Sequence, residues 1–259
     1  MLLEVKDLNI SLTSGKSVAE HISFRLGQGE MLSIVGSSGA GKTTICKAIM
    51  GLLGNAYRAD GEILFQAENL LDLPEQKRQT VYGKEICLIM QNPMTAFNPS
   101  LRVGRQLEKT YLLHHGKTPR REMQRLFTSI LQRLGLEDTQ RILNSYPFTL
   151  SGGMLQRLMI AAALMCQPSL LVADEATTAI DACNRIGLMR ELKSFCKDGM
   201  SVLFVTHDLR SASVSDRILV MDRGRIVEQG KTEQILNTPK EDYTKYLLNA
   251  CRLERREMS

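Results

Sequence analysis

The sequence predicts an α/β fold built on a mostly parallel sheet, with an N-terminal antiparallel β part and a helical insertion. Strand-like segments dominate the first third of the chain. From Pro93 to Cys166 these signals almost vanish and apolar residues recur at helical spacing. Strand patterns then return in alternation with a helix, and this alternation is typical of a largely parallel sheet.

The N-terminal strand candidates are short apolar segments bounded by glycine or polar turns. A helical pattern begins after Lys42, directly behind the third candidate. The five candidates are Leu2 to Ile10, Ile22 to Leu26, Met31 to Val35, Glu62 to Phe65 and Ile86 to Met90.

The middle of the chain is predicted to be a helical insertion at about 92–166. Its helical face carries Met123, Leu126, Ile130, Leu131 and Leu134. Behind it, strands are predicted at Leu170 to Ala173, Val202 to Val205 and Ile218 to Met221, with a helix that has Ile186, Met189, Leu192 and Phe195 on one face.

A last helix is predicted after Gly230. It carries a stripe of apolar and aromatic residues that is expected to pack on the core. We divide the chain into a main domain at 1–237 and a helical tail at 238–259. The stripe consists of Tyr243, Tyr246, Leu247, Ala250 and Leu253.

The composition excludes several classes of protein. The 259 residues are 43% hydrophobic and 24% charged, as in ordinary globular chains, so disordered and fibrous classes drop out. No apolar segment approaches the roughly 20 residues that span a bilayer, and the N-terminus lacks a secretion signal pattern, so we expect a cytosolic chain. The net charge of +5 is dispersed and predicts no nucleic-acid partner. The six cysteines lack metal-ligand spacing and are expected to be reduced thiols.

A phosphate-binding loop is the first motif that carries chemistry. The segment from Gly36 to Thr43 fits GxxxxGK[ST], after an apolar strand and before a helix. Backbone N–H groups of such a loop point at phosphate oxygens, Lys42 adds a charge, and the Thr43 hydroxyl can bind Mg²⁺. A glycine-rich turn that matches by chance is the alternative. The predicted nucleotide-binding residues here are Gly36, Ser37, Ser38, Gly39, Ala40, Gly41, Lys42, Thr43 and Thr44.

Two acids end the strand at Leu170 to Ala173. Asp174 and Glu175 should lie at the carboxyl edge of the sheet, where ligands of open α/β folds bind. Alone, the pair is better explained as a solvated turn. Together with the phosphate loop, it predicts that Asp174 holds Mg²⁺ and that Glu175 acts as the general base for the attacking water.

The segment Leu150 to Arg157 narrows the choice among families of phosphate-loop proteins. It reads Leu-Ser-Gly-Gly-Met-Leu-Gln-Arg and resembles the LSGGQ-type signature of ATP-binding cassette (ABC) proteins, a resemblance that covers nearly the whole chain. A bland capped helix start explains Ser151 and the glycines but not the residues behind them. The resemblance implies a P-loop NTPase fold of ABC type that binds ATP and Mg²⁺. It also implies head-to-tail dimers, in which Ser151, Gly152, Gly153 and Gln156 close over the nucleotide of the partner.

The same resemblance assigns three further residues. Gln91 matches the Q-loop glutamine that senses Mg²⁺ and the γ-phosphate, and Asp181 matches the D-loop. His207 matches the switch histidine that contacts the γ-phosphate. The resemblance therefore implies catalytic roles for Glu175, His207 and Lys42, and Mg²⁺ ligation by Thr43, Gln91 and Asp174.

The chain departs from the family pattern at two points. Ala176 stands where the family commonly has Pro after the catalytic Glu, which affects loop stiffness rather than chemistry. The stretch Ser11 to Val18 has no aromatic residue to stack on adenine, which leaves Leu12 or Val18 for apolar contact.

Three segments resemble the peptide/nickel importer ATPases: Met90 to Pro99, Tyr146 to Phe148 and Tyr243 to Leu248. The resemblance implies a peripheral subunit at the cytoplasmic face of the membrane, with permease subunits, a second homologous ATPase and, indirectly, an extracytoplasmic substrate-binding protein as partners. Leu155 and the Tyr-Pro-Phe segment favour nickel or a metal chelate as cargo, and di- or oligopeptides are the alternative. Other classes are a soluble ABC ATPase acting on ribosomes or nucleic acid and a subunit that binds ATP without turnover. Cys251 stands alone in the tail, so no iron–sulfur cluster is expected.

Overall fold

The computed structural model describes residues 1–90, 92–175 and 182–257, without the side chains of 182–184 and 252–257. The described part of the chain forms two sheets with helices packed against them. The strands are β1 Leu3–Leu12, β2 Ser17–Leu26, β3 Met31–Val35, β4 Tyr57–Phe65, β5 Glu68–Asn69, β6 Ile86–Ile89, β7 Leu170–Asp174, β8 Ser201–Thr206, β9 Arg217–Asp222 and β10 Arg225–Lys231. The helices are α1 Lys42–Ile49, α2 Glu75–Val81, α3 Val103–His115, α4 Arg120–Arg133, α5 Thr139–Asn144, α6 Gly152–Met165, α7 Ala182–Lys197, α8 Leu209–Ala212, α9 Thr232–Asn237 and α10 Asp242–Glu257.

The central sheet has the order β10-β9-β3-β8-β7-β6. Its strands pair in parallel except at the β9/β10 hairpin. The N-terminal sheet has the order β2-β1-β4-β5 and is antiparallel. These sheets confirm the predicted architecture of a mostly parallel core with an antiparallel β part.

The strands of the central sheet are buried on both faces. In β7, Leu170 and Val172 join the core shared with α1 and the N-terminal sheet, whereas Leu171 and Ala173 join the core shared with α3 to α7. Successive side chains of a strand point to opposite faces, so β7 separates the two cores. The nearly continuous apolar sequence of such a strand is typical of a parallel sheet covered by helices.

The helical insertion is confirmed between β6 and β7 and comprises α3 to α6. In α4, Met123, Ile130 and Leu131 of the predicted face are buried, and Leu126 packs partly against the same core. The apolar face therefore fixes these helices on one side of the sheet.

A third, smaller core lies along β9 and includes Val35, Ile218 and Ile235. The helices α8 and α9 contribute to it, and Tyr243, Leu247 and Leu248 of α10 pack against it. Tyr246 differs from the prediction, because 67% of its surface is exposed instead of packed. No helix in the described ranges is both long and apolar enough to cross a membrane.

Candidate functional site

Three neighbouring strands bring the candidate residues to one edge of the sheet. The strands β3, β8 and β7 lie side by side and are parallel. The phosphate loop follows β3, His207 follows β8, and β7 ends at Asp174, directly before Glu175. Residues far apart in sequence therefore meet at the carboxyl ends of these strands, as ligand sites of open α/β sheets do.

The backbone of the phosphate loop requires glycine at particular positions. Gly39 and Gly41 have φ angles of +84° and +95°, a region that side chains strongly disfavour. A Cβ atom at Gly36 would lie only 2.2 Å from the carbonyl oxygen of Met221 in β9. The loop is thus packed closely against the sheet while its turn curls over the start of α1.

Lys42 is nearly buried beneath this loop. Its Nζ donates hydrogen bonds of 2.8 Å to the carbonyl oxygens of Gly36 and of Ser37. Burial lowers the pKa of Lys42, and the carboxylates of Glu175 and Asp174 oppose that shift. The ammonium group is therefore held at the loop, close to two acids, where it can neutralise phosphate charge.

Thr43 and Asp174 bring two side-chain oxygen atoms next to each other. The Thr43 hydroxyl donates a hydrogen bond of 3.1 Å to Asp174 Oδ1. Burial raises the pKa of Asp174, the hydrogen bond from Thr43 opposes this rise, and the charge of Glu175 adds to it. A hydroxyl and a carboxylate at this distance fit a hard cation such as Mg²⁺, which takes few protein ligands and completes its shell with water and phosphate oxygens. The described residues contain no cluster of three or more His, Cys, Asp or Glu that could hold a metal by itself.

Glu175 and His207 contact each other at the neighbouring strand ends. His207 Nδ1 lies 3.2 Å from Glu175 Oε1. Glu175 has a left-handed backbone with φ of +48°, and its N–H donates to the Val205 carbonyl at 2.9 Å. Such a conformation is costly for a residue with a side chain and tends to occur at functional sites. Its hydrogen bond to β8 holds the carboxylate beside His207.

The signature segment lies on a different part of the molecule. Ser151 is the N-cap of α6, and its hydroxyl oxygen accepts a hydrogen bond of 3.3 Å from the Met154 N–H. Ser151 is exposed and Gly152 and Gly153 are partly so. An exposed helix start with free N–H groups is suited to binding an anion.

Gln156 differs from the expectation that it faces a nucleotide. Its side chain is completely buried, and both polar atoms of its amide lack a hydrogen-bond partner among the described residues. It lies on the inward face of α6, between Leu155 and the buried Leu158. The exposed part of the segment is therefore limited to its first turn.

Two predicted site residues, Gln91 and Asp181, lie outside the described residues, as does Ala176. The sequence analysis missed two contacts of the phosphate loop. The Tyr243 hydroxyl accepts a hydrogen bond of 3.1 Å from the Ser37 N–H, and the Val18 carbonyl would lie 2.9 Å from a Cβ atom at Gly41. The apolar stripe of the last helix signalled that Tyr243 packs, but nothing in that pattern indicates which loop its hydroxyl meets.

Comparison with known families identifies the family to which the chain belongs. The family model described as ABC transporter matches residues 19–178, which include the phosphate loop, the signature segment and both acids. The metal-staphylopine import system ATP-binding protein of Staphylococcus aureus is 39% identical over 251 residues, covering 96% of this chain and 92% of that protein. The oligopeptide transport ATP-binding protein of Bacillus subtilis is 41% identical over 254 residues, covering 95% and 71%.

Solved structures show the same architecture. A dimeric ATP-binding cassette in a post-hydrolysis state, bound to ADP and phosphate, is 26% identical with a TM-score of 0.78, covering 89% of this chain and 99% of that one. The cbiO1 protein of Clostridium perfringens, part of an ABC transporter complex, has the same fold with a TM-score of 0.80 at 24% identity, covering 99% of this chain and 96% of that one.

Proposed function

Because this chain belongs to the ABC transporter family and is the ATPase of an import system, we propose that it energises uptake of nickel or a small metal chelate. The observation that carries the ATPase role is the contact of Thr43 with Asp174 and of Glu175 with His207 at one sheet edge. The cargo proposal is supported by the 39% identity to a metal-staphylopine importer subunit and by the Tyr146 to Phe148 segment before the signature.

Substrate binding is assigned to the phosphate loop. The N–H groups of the curled loop and of the first turn of α1 point towards phosphate oxygens. Lys42 neutralises charge on the β- and γ-phosphates from its position between the loop and the two acids. Thr43 and Asp174 would hold Mg²⁺, together with Gln91 from the Q-loop. A bound Mg²⁺ supplies positive charge to the phosphate oxygens.

Hydrolysis is assigned to Glu175 and His207. Glu175 accepts the proton of the attacking water as general base. His207, whose Nδ1 lies 3.2 Å from Glu175 Oε1, orients that carboxylate, and its ring would contact the γ-phosphate. Both groups follow the ends of adjacent paired strands, and this arrangement fixes the distance between their side chains without a long loop.

The complete site requires a second ATPase subunit. Ser151, Gly152 and Gly153 begin α6 in the helical layer, whereas Lys42 begins α1 on the other side of the sheet. We infer that this signature serves the nucleotide of a homologous partner, in which a corresponding segment covers this phosphate loop. Asp181 would contact the partner at the same interface.

The membrane partner is proposed to dock beside α6. Met90, Met94 and Phe148 are 49%, 59% and 67% exposed, and they lie within the insertion or directly before it. Phe148 also stacks on Tyr146, with ring centroids 5.6 Å apart. Exposed apolar side chains favour a protein contact, and such a contact would place the chain at the cytoplasmic face of the membrane beneath its permease subunits.

Peptide import is the second candidate function. The Bacillus subtilis oligopeptide subunit and a Haemophilus influenzae dipeptide transport ATP-binding protein are 41% and 39% identical to this chain. Identity therefore does not separate metal chelates from peptides, and an ATPase subunit does not itself contact cargo.

The deciding experiment is uptake by the complete transporter. We expect accumulation of ⁶³Ni²⁺, free or chelated, to require this subunit and to be lost in Lys42→Ala. Lys197→Ala, which removes an exposed ammonium at the end of α7, should retain uptake. Accumulation of a labelled dipeptide without nickel accumulation would assign the peptide function instead. Uptake that survives Lys42→Ala would refute the energising role.

A further inference from the structure

The last helix contacts the phosphate loop through one hydroxyl group. Tyr243, in the first turn of α10, accepts a hydrogen bond of 3.1 Å from the Ser37 N–H. The carbonyl of the same peptide group belongs to Gly36 and accepts a hydrogen bond of 2.8 Å from Lys42 Nζ. One peptide group therefore connects the Tyr243 hydroxyl to the Lys42 ammonium, and hydrogen bonds at the two ends of one amide polarise each other.

Tyr243 is held in place by packing and by hydrogen bonds next to it in sequence. Its ring packs against the small core that contains Val35, the residue directly before the phosphate loop. Ahead of α10, the N–H groups of Lys240 and Glu241 donate to the Glu228 carboxylate of β10 at 2.8 and 3.2 Å. The start of α10, which carries Tyr243, is thus anchored to the central sheet.

A second anchor joins α10 to the segment behind His207. The Arg210 guanidinium, in α8, donates a hydrogen bond of 3.0 Å to the Cys251 carbonyl. Only Asp208 and Leu209 separate Arg210 from His207 in sequence. The helix α10 therefore contacts both the phosphate loop and the element that begins beside the predicted switch histidine.

We propose that Tyr243 is a positioning residue for nucleotide binding. Its hydroxyl holds the peptide group between Gly36 and Ser37, and the carbonyl of that group in turn accepts a hydrogen bond from the buried Lys42 ammonium. A loop held in its binding shape loses less entropy when the phosphates arrive. This role rests on the proposed ATPase function, because it concerns how the same loop binds its substrate.

The test compares two identical substitutions on one helix. Tyr243→Phe removes the hydroxyl and keeps the packed ring, whereas Tyr246→Phe removes a hydroxyl from a ring that is 67% exposed. In calorimetric titration of the full-length subunit with MgADP, we expect Tyr243→Phe to raise the Kd about 2- to 10-fold, the range of one net hydrogen bond. Tyr246→Phe should leave the Kd unchanged.

Two further readouts separate positioning from a general loss of stability. Tyr243→Phe should accelerate hydrogen exchange of the Ser37 amide and lower the Tm by no more than about 4 °C, the cost of one hydrogen bond in a chain of this size. In the assembled transporter it should raise KM for ATP by a similar factor and keep kcat. Equal Kd values for the two variants would overturn the proposal, as would tighter binding by Tyr243→Phe or a fall in kcat alone. If wild-type protein failed to bind MgADP, the proposed function itself would be at fault.

Discussion

The phosphate-loop edge and the start of α6 differ in how much of a site each supplies. At the loop edge, Lys42 lies close to the two acids, Thr43 contacts Asp174, and Glu175 contacts His207, all within one chain. At α6, Ser151 is bonded only to the backbone of its own helix in the described contacts, and the residues beside it are partly exposed. The first region is assembled within one chain, whereas the second is an exposed helix start for which we propose a role opposite the nucleotide of another subunit.

This difference separates binding from turnover. Under the proposed function, a nucleotide at the loop edge alone would meet the binding groups, the general base and the histidine, but it would lack the cover that a second subunit supplies. The variants below should therefore fall into two groups, those that act within the isolated chain and those that act only when subunits meet.

The largest effect is expected for Glu175→Gln. Removing the general base should lower kcat of the assembled transporter by about 10²- to 10⁴-fold, while ATP binding stays close to that of wild type because the amide has the same shape. Measured ATP turnover and ATP affinity test both parts. Glu137→Gln, an exposed acid of the insertion, serves as the matched control. Turnover within a few fold of wild type would remove Glu175 from the mechanism.

Gly153→Asp tests whether the start of α6 acts only when two subunits meet. An acid is compatible with the first turn of a helix, so the chain should fold, but its carboxylate would repel the phosphates of the partner's nucleotide. We expect MgADP affinity of the isolated subunit to stay unchanged and ATPase activity of the complex to fall by about tenfold or more, the cost of about one strong charged contact.

The control for Gly153→Asp is Gly187→Asp, at an exposed site in α7 where a Cβ atom meets nothing within 4 Å. Loss of nucleotide binding by isolated Gly153→Asp protein would contradict the assignment of this turn to the opposite site.

Gln156→Met tests the inward face of the signature helix. Both amide atoms of Gln156 are buried without a partner in the described part of the chain, and such groups cost about 1 to 3 kcal/mol. A side chain of similar shape without those polar atoms should raise the free energy of unfolding by about 1 kcal/mol. Urea unfolding of the isolated wild-type and Gln156→Met subunits measures this difference in the free energy of unfolding. Destabilisation would show that the amide has bonding partners outside the described residues.

The smallest effect concerns Asp208, next to His207. Burial raises its pKa, but the Arg210 N–H, the Ser211 hydroxyl and Arg185 outweigh burial, so the net pKa lies below its usual value. A lowered pKa stabilises the folded chain above the unfolded pKa near 3.9, and this contribution is lost as the pH falls. Asp208→Asn should therefore cost less than about 1 kcal/mol at pH 7. The difference from wild type should begin to shrink as the pH falls below about 4 and should vanish only below the lowered pKa of the folded chain.

Denaturant titrations of wild type and Asp208→Asn between pH 3 and pH 7 measure this dependence. A difference that grows towards low pH would have the wrong sign. Asp198→Asn, an exposed acid beyond the end of α7, provides the comparison for general charge effects.

Much of the fold could be predicted because its patterns are local. The strand β3 has the predicted bounds; β6 and β7 differ from the prediction by one residue at one end, and β8 and β9 extend one residue further at both ends. The hairpin strand β10 was missed, since its residues are polar or only partly buried and carry no apolar alternation. The segment after Gly230 was predicted as one helix but forms α9 and α10, with Pro239 between them.

The candidate site divides in the same way. The phosphate loop, the acid pair and the signature are contiguous motifs, so their chemistry could be read from neighbouring residues. Contacts between motifs depend on strand order, which local periodicity does not encode. Gln156 shows the limit most clearly, because its motif suggested a surface role while packing in the helical layer buries it.

By itself, the sequence determined the fold class, the ATPase family and the residue types at each motif, because glycine, lysine and carboxylate requirements are written in short segments. Only the tertiary structure decided that Glu175 lies beside His207, that the signature begins in the other layer, and that Tyr243 meets Ser37. Those contacts join residues 32 to 206 positions apart, and they follow from how the strands are ordered and which helix faces are buried.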